Sequence, residues 1–344
     1  MKNNKTDRRS FLQKSALAAG GLFIASQAKI IGAPNIIKHY NKSLSKINGV
    51  QIGVITYSFR SMPDQSAEAT LKYITDSGIS AVELMGDPAE SFAGMPESTV
   101  DRRAFFGLRR KQRDGSLTAD EEKEMAEMQA AQEAFNKEVA EWRATVSMEP
   151  FEQMKKMYDD AGVSIYGFKP RAFGQDNSDA EIDYGFRAAK ALGATHVTLE
   201  HPSDDAHTMK LGNMAKKHKI MVAYHGHEQQ TPTFWDTSLD QSKFNAMNLD
   251  IGHYVAAGYN PLDILKEKNK RIASIHIKDR QTPENGKGNL VWGTGDTPIA
   301  ETLQLMRDEK YKFAATVELE YQIPEGSDAV KEVQKCLSFC ESSL

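Results

Sequence analysis

The hydrophobic positions of the chain recur in a unit that repeats from residue 50 onward. Each unit is a short run of β-branched and other apolar residues, then a polar turn, then a longer segment with helical periodicity. Near-continuous apolar runs of this kind are typical of strands buried on both faces of a parallel sheet. The runs lie at Gln51–Ser58, Ser80–Met85, Val163–Phe168, Thr195–Glu200, Ile220–His225, Ala246–Ile251, Ile272–Ile277 and Ala314–Glu320.

Helical segments separate these strands, for example at Ala67–Ser77 and Asp179–Leu192. Gly78 and Gly193 follow them at the position where a left-handed residue commonly ends a helix. Eight strand–helix units are enough to close a barrel, whereas an open doubly wound sheet usually has fewer strands. No GxGxxG motif follows the first strand, which disfavours a dinucleotide site. The predicted fold class is α/β, as a single (β/α)8 TIM barrel over residues 50–344.

Residues 101–146 interrupt this rhythm between the second and third strands. They are densely charged and helix-prone, and we interpret them as a helical insertion after strand two. An insertion there lies on the C-terminal face of the barrel, where it either covers the site or contacts a partner subunit. The alternative is a solvated charged hairpin with no catalytic role, and the sequence leaves both interpretations open. A homo-oligomer is also possible.

The N-terminal residues 1–28 have the organisation of an export signal. Lys2, Lys5 and the pair Arg8-Arg9 precede a mild apolar stretch at Ala16–Ala25, which is followed by small residues. The paired arginines resemble a twin-arginine signal, and the stretch is too short to span a bilayer. We therefore expect export to the periplasm by the twin-arginine machinery, with residues 29–49 as a linker. A retained anchor and a cytosolic amphipathic helix are the alternatives.

Composition narrows the classes of function. The chain has 344 residues, of which 40% are hydrophobic and 26% charged, so it can form a large core. Its formal net charge of −4 disfavours a nucleic-acid partner, which usually selects a basic surface. Cys336 and Cys340 lie four apart on a predicted helix, a spacing that suits neither a disulfide nor a structural zinc site.

The later strands end in polar side chains that can bind a metal ion. In a TIM barrel the C-terminal strand ends meet in one pocket, and alternate side chains along a strand point the same way. We expect the polar side chains to point into the barrel, because pointing them outward would bury several charges under the helices at a cost of several kcal/mol each. Mixed histidine and carboxylate ligands suit one divalent ion such as Mn²⁺, Zn²⁺, Co²⁺ or Mg²⁺, with nitrogen favouring a transition metal. The polar residues are Glu200, His225, His227, Asp250, His253, His276, Lys278, Glu318 and Glu320.

Three segments, Asp250–His253, His276–Arg280 and Gly293–Pro298, resemble the xylose isomerase-like TIM barrels, a group often called sugar phosphate isomerases/epimerases. The resemblance covers about residues 50–342. The run His225-Gly226-His227 departs from the group, which often has a glutamate at this place, so Glu200 is an alternative ligand, and Glu320 competes with Glu318. By position, the resemblance implies that the metal is held by His225, Asp250, His276 and Glu318.

The resemblance also implies a chemistry, in which a proton next to a carbonyl group is removed and the metal stabilises the resulting enediolate. The candidate base is Glu200 or Glu318, with His227 or His253 as its partner and Glu320 as a further catalytic candidate. Lys278 either stabilises negative charge or pairs structurally with Asp279.

Export disfavours a phosphorylated substrate, because sugar phosphates are scarce outside the cytoplasm. The expected function is an isomerase or epimerase acting on a non-phosphorylated keto-sugar. The alternatives are a 3-keto-glycoside lyase or hydratase, which cleaves a glycosidic bond by elimination, and a non-catalytic carbohydrate-binding barrel. The superfamily also contains endonucleases for abasic DNA, which use three metals and fit an acidic exported chain poorly.

Overall fold

The computed structural model describes residues 45–344, so the export segment predicted at residues 1–28 lies outside the described part. Eight parallel strands, β1–β8, pair in chain order, and β8 pairs with β1 to close the barrel. A short strand at Lys46–Ile47 pairs antiparallel with β1. The barrel strands are Val50–Ile55, Ala81–Met85, Ser164–Lys169, His196–Glu200, Met221–His225, Asn245–Asp250, Ile272–Ile277 and Ala314–Val317.

The predicted (β/α)8 barrel is confirmed, and the strand boundaries differ mainly at β1 and β8. The sequence predicts strands as far as Ser58 and Glu320, but β1 ends at Ile55, ahead of a 3-10 turn, and β8 ends at Val317. The Ser58 hydroxyl accepts a hydrogen bond from the Leu319 N–H at 3.0 Å and lies 3.3 Å from the Val317 carbonyl. A side chain therefore replaces the backbone ladder where these two strands end.

Helices surround the barrel, and their ends follow from local sequence. Ser178 begins one helix through a capping box with Glu181. Gly78 and Gly193 both have φ of +80°, which confirms the predicted helix ends. The helices α1–α12 of the described residues are Ala67–Asp76, Gly86–Phe92, Arg102–Arg113, Ala119–Thr145, Glu149–Asp160, Asp179–Ala191, Asp205–His218, Asp236–Gln241, Ile251–Ala256, Pro261–Lys268, Ile299–Asp308 and Ala329–Ser343.

The charged segment between β2 and β3 contains α3 and α4. Helix α4 is mostly exposed, but the buried Arg143 near its C-terminal end lies 3.0 Å from a Glu90 oxygen and 3.2 Å from a Glu181 oxygen. Both carboxylates belong to helices packed around the barrel, so this ion cluster anchors α4 to the rest of the fold.

The core confirms the predicted direction of the strand side chains. Ile277 and Leu319 are buried in the hydrophobic core, while their neighbours His276, Lys278 and Glu318 face the inside of the barrel. Cys336 and Cys340 are free and buried, as expected for helix residues. Within residues 45–344, no helix has the length and apolar character that crossing a membrane requires.

Candidate active site

Four predicted ligands meet at the C-terminal ends of β5–β8. Each of His225, Asp250, His276 and Glu318 offers one ligand atom, and these atoms all lie within 4.8 Å of one another. The parallel register explains the convergence. Asp250 is opposite His276, His225 is opposite Asn248, and Glu318 directly follows Val317, which is opposite Ile277. All four side chains are buried. Two nitrogens and two carboxylates form a donor set that suits a divalent transition metal.

His225 presents a free nitrogen to this cluster. Its Nδ1 lies 2.7 Å from Asn248 Oδ1, and the Asn248 amide group donates to Ser274, so Oδ1 is the acceptor. Nδ1 therefore carries the proton and Nε2 keeps its lone pair. Burial holds the pKa of His225 well below its usual value, and nearby Lys169 lowers that pKa further. His225 is thus neutral at physiological pH, as metal ligation requires.

Asp250 both starts a helix and faces the cluster. Its Oδ1 accepts the His253 backbone N–H at 2.7 Å and so caps α9. Its other oxygen, Oδ2, is buried and lies 2.9 Å from Lys278 Nζ, but without hydrogen-bond geometry. Two residues later, Gly252 leaves room for the Lys278 side chain, because a Cβ at this position would lie 2.4 Å from Lys278 Cγ. Asp250 Oδ2 keeps a lone pair available to a metal ion, so the residues present fit a bound divalent ion.

Glu83 on β2 is a buried residue of the candidate site that the sequence did not reveal. His276 lies between two carboxylates, with Nε2 at 2.9 Å from Glu83 and Nδ1 at 2.9 Å from Glu318. Burial opposes the charge of His276, but Glu83 and Glu318 outweigh it and raise its pKa to about 10. Burial would likewise raise the pKa of Glu83, yet His276 lowers it to about 2. Glu83 is therefore an ionised carboxylate that fixes the orientation of a candidate ligand.

Lys278 places a buried ammonium group against three carboxylates. Its Nζ lies 2.9 Å from Asp250, 2.7 Å from Glu318 and 2.8 Å from Glu320. Burial alone would lower the pKa of Lys278, but these carboxylates raise it above its usual value. Of the two roles considered for Lys278, the structural pairing with Asp279 is not what the structure shows. The position instead suits stabilisation of negative charge at the barrel mouth.

Asp279 organises the loop that follows β7. Its carboxylate accepts backbone N–H groups of Gly293, Thr294 and Gly295 at 2.8–3.1 Å and of Thr297 at 3.2 Å. This contact explains why an aspartate follows Lys278 and why the Gly293–Pro298 segment lies next to the site.

Replacing Asp279 with alanine is expected to destabilise the fold. Four backbone N–H groups would lose a charged acceptor. Solvent can reach those of Gly293, Thr294 and Gly295, whereas that of Thr297 is buried and an orphaned buried donor costs about 1–3 kcal/mol, so we expect a total loss of roughly 3 kcal/mol. Urea unfolding followed by circular dichroism measures this loss. The control is Asp296→Ala, an exposed residue whose carboxylate accepts hydrogen bonds from Thr282 and Asn285, for which we expect a smaller loss. Equal midpoints for the two variants would contradict this role of Asp279.

Glu200 and His227 form an exposed pair on one wall of the mouth. His227 Nε2 lies 3.3 Å from one Glu200 oxygen, and Lys169 Nζ lies 2.9 Å from the other. About half of each side chain in the pair is exposed, at 52% and 54%. The structure does not bring Glu200 into the group of four ligands. Its carboxylate is instead ion-paired with Lys169 at a place that a substrate can reach.

His253, Arg280 and Glu320 form the other wall. Arg280 can only donate, so His253 Nδ1 accepts its hydrogen bond and the ring proton resides on Nε2. Burial and then Lys278 lower the pKa of His253 to about 2, which keeps the ring neutral. Its Nε2 lies 4.0 Å from Glu320. His253 is therefore a hydrogen-bond donor to the mouth, whereas the sequence reasoning considered it as a partner of the base.

A second group of ligand atoms, from His225, His227 and His253, also lies within 4.8 Å. It is the poorer metal site because Arg280 occupies His253 Nδ1 and leaves the proton on the nitrogen that would have to ligate. In the four-residue group the proton on His276 Nδ1 faces Glu318, which is itself a candidate ligand, so a metal ion that binds both groups displaces this proton while Nε2–H stays bonded to Glu83. We therefore assign the candidate metal centre to His225, Asp250, His276 and Glu318.

Comparisons with known proteins agree with this fold. An inosose dehydratase from Clostridium botulinum is 34% identical over 93 residues, which span 25% of this chain and 31% of that protein. The chain thus matches only about a third of the length of this relative.

Solved structures extend the likeness to most of the chain. A probable 3-DHS dehydratase from Bacillus anthracis has a TM-score of 0.55 at 14% identity and covers 84% of this chain and 99% of its own. A 3-keto-D-glucoside 4-epimerase from E. coli has a TM-score of 0.53 at 10% identity, covering 85% and 99%. The IOLI protein, solved with a zinc atom, has a TM-score of 0.52 at 13% identity, covering 85% and 98%. At these identities the likeness shows the fold alone.

The model of one protein family, described as xylose isomerase-like TIM barrel, matches residues 126–340. The match covers more than half of the chain and includes β3–β8, with all four candidate ligands and both walls of the mouth. The chain therefore belongs to the xylose isomerase-like TIM barrel family.

Proposed function

We propose that the chain is a divalent-metal-dependent enzyme that removes a proton next to the carbonyl group of a non-phosphorylated keto-sugar, as an isomerase or epimerase. The observation that carries this proposal is the buried His225–Asp250–His276–Glu318 group, which lies directly beside an exposed carboxylate–histidine pair. Similar proteins named as inosose dehydratase and 3-keto-D-glucoside 4-epimerase support it, since both names denote chemistry beside a ring ketone.

The metal, bound by His225, Asp250, His276 and Glu318, would polarise a carbonyl oxygen and so acidify the neighbouring C–H. Glu200 takes the proton, because half of its side chain is exposed to the mouth and one of its oxygens faces His227. His227 accepts this proton from Glu200 and releases it to solvent. The neutral His253 donates its Nε2–H to a substrate oxygen on the opposite wall. Glu320, which lies beside Lys278, takes a proton from solvent and gives it to carbon, so that one proton enters for each one released.

The two walls also favour a second candidate, elimination from a keto-sugar or keto-glycoside. One acid–base group, Glu200 with His227, is separate from another, Glu320 with Lys278. Glu200 would take the carbon-bound proton while a C=C bond forms, and Glu320 in its protonated form would give its proton to the departing oxygen as the C–O bond breaks. The dehydratase names among the similar proteins support this candidate.

Product analysis in D₂O tests the proposal. Protein loaded with Mn²⁺ or Zn²⁺ is incubated with keto-sugars and 3-keto-glucosides and followed by NMR. Deuterium incorporation with a rearranged sugar supports an isomerase or epimerase, and an unsaturated ring with a released group supports elimination. Glu200→Gln should slow the reaction by about 10²–10⁴-fold, the usual contribution of a general base. Binding without exchange or product would instead identify a carbohydrate-binding barrel.

We also propose export by the twin-arginine pathway. The support is the sequence of residues 1–28, with Arg8-Arg9 ahead of a short apolar stretch. Replacing both arginines with lysine keeps the charge and should retain the protein in the cytoplasm, as measured by cell fractionation. Unchanged fractionation of this double variant would contradict twin-arginine export.

A further inference from the structure

A cavity of about 370 Å³ opens between the chain that follows β1 and the chain that follows β8. These strands are neighbours in the barrel, so the cavity lies at the same C-terminal mouth as the candidate metal centre. Its volume falls within the range of about 300–1,000 Å³ typical of small-molecule sites. We call it the β1–β8 cavity. The residues that line it include Ser58, Arg60, Ser61, Glu320, Gln322 and Ile323.

Glu320 connects this cavity to the proposed catalytic site. Its carboxylate lies 2.8 Å from Lys278 Nζ, which in turn contacts Asp250 and Glu318. The same side chain lines the β1–β8 cavity. A ring held at the metal centre and a group held in the cavity would therefore be neighbours on the two sides of Glu320.

The cavity is held open by contacts between its own walls. Arg60 donates to the Leu319 carbonyl at 2.7 Å, and the Leu319 N–H donates to the Ser58 hydroxyl at 3.0 Å. The Arg60 guanidinium also stacks on Tyr57, with its central carbon 4.3 Å from the ring centroid. These contacts fix the walls before a ligand arrives, which lowers the ordering cost of binding.

The charges around the cavity indicate an uncharged occupant. Among the described lining residues, Arg60 is the basic one and Glu320 the acidic one, so their formal charges cancel. Glu320 faces the same space and would repel a phosphate or carboxylate group. The hydroxyl of Ser61 and the amide of Gln322 can bond to hydroxyl groups, while Ile323 offers an apolar contact.

We propose that the β1–β8 cavity is a subsite for an uncharged group joined to the keto-sugar, so that the substrate is a glycoside and not a free sugar. The proposal rests on the function proposed above, because it takes the keto-sugar ring to lie at the metal centre. The occupant is a second sugar ring or an aromatic ring linked through a glycosidic oxygen.

Equilibrium binding of two unoxidised glucosides tests this subsite without turnover. Metal-loaded protein is titrated with phenyl and with methyl β-D-glucoside, and ligand NMR signals give each Kd. We expect the phenyl glucoside to bind about tenfold more tightly, since it adds a ring that is buried in the cavity. Ser61→Trp fills the cavity from an exposed position and should abolish this difference while leaving methyl glucoside within about twofold. Ser61→Ala is the matched control and should keep the difference.

Two results would overturn the subsite: equal affinities of the two glucosides for the wild-type protein, or an equal loss of both in Ser61→Trp. Should Ser61→Trp fail to fold, Gln322→Trp fills the same cavity from another exposed position. The outcomes separate the two proposals. Selective phenyl glucoside binding without deuterium exchange on any keto-glucoside contradicts the proposed reaction, whereas exchange without selective binding contradicts the subsite.

Discussion

Asp250→Asn should lower the bound divalent metal from about one ion per chain to less than about a tenth at equal total metal, because a charged ligand is lost from a site of four. The fold should survive, since the asparagine oxygen can still accept the His253 N–H that caps α9. Dialysis against limiting Zn²⁺ or Mn²⁺, followed by elemental analysis, measures the effect. Full metal content in a folded Asp250→Asn protein would show that the ligand set is wrong.

A matched pair of glutamates just after β8 sharpens this test. Glu318 belongs to the group of four ligand atoms, whereas Glu320 does not, although both contact Lys278. Glu318→Gln should therefore lose the metal, and Glu320→Gln should keep it while losing activity. The reverse pattern would assign the β8 ligand to Glu320, which the sequence leaves open.

The second large effect concerns Glu83, which is fully buried and pairs with His276. Glu83→Ala should lower the free energy of unfolding by about 3–5 kcal/mol, because it leaves a buried charge unpaired. Glu83→Gln keeps the side-chain volume and should lose less. Both variants should also weaken metal binding by about 10–100-fold, as expected for a residue that orients a ligand. Urea unfolding and metal titration measure the two effects separately.

The pH dependence of the free energy of unfolding tests independently whether Glu83 and His276 are both charged. The pKa of Glu83 falls from its usual 4.5 to about 2, so its contribution is present above pH 4.5 and is lost as the pH falls through 2. The pKa of His276 rises from 6.5 to about 10, so its contribution is present below pH 6.5 and is lost as the pH rises through 10. Without added metal, the difference in stability between wild type and Glu83→Gln should be largest near pH 4.5–6.5. A difference that does not vary with pH would contradict the charged pair.

The sequence predicted the barrel and the direction of its polar side chains because both follow from local alternation. Ile277 and Leu319 point outward, so His276, Lys278 and Glu318 must point inward, and the parallel register then brings them together. The family resemblance added the identity of the four candidate ligands, and the structure places all four within one small space.

Glu83 was missed because its importance depends on a residue far along the chain. It is a single carboxylate in an apolar strand, and its partner His276 is 193 positions away. The inward phase of Glu83 was readable from alternation, since a charged side chain within a buried strand needs a partner. The sequence could not predict which nitrogen of His253 carries the proton. That depends on a hydrogen bond from Arg280, which only the tertiary structure reveals. The ends of β1 and β8 depend on the Ser58 side chain in the same way.

The central claim is that a metal held by His225, Asp250, His276 and Glu318 enables proton removal beside a carbonyl group. The most direct test is the rate of solvent deuterium exchange at the carbon next to the ketone of methyl 3-keto-glucoside, measured by NMR with and without metal. We predict exchange by the metal-loaded wild-type protein, and a rate at least about 10³-fold lower for Asp250→Asn or after chelation. Equal exchange by the wild-type protein and a metal-free Asp250→Asn variant would contradict the account.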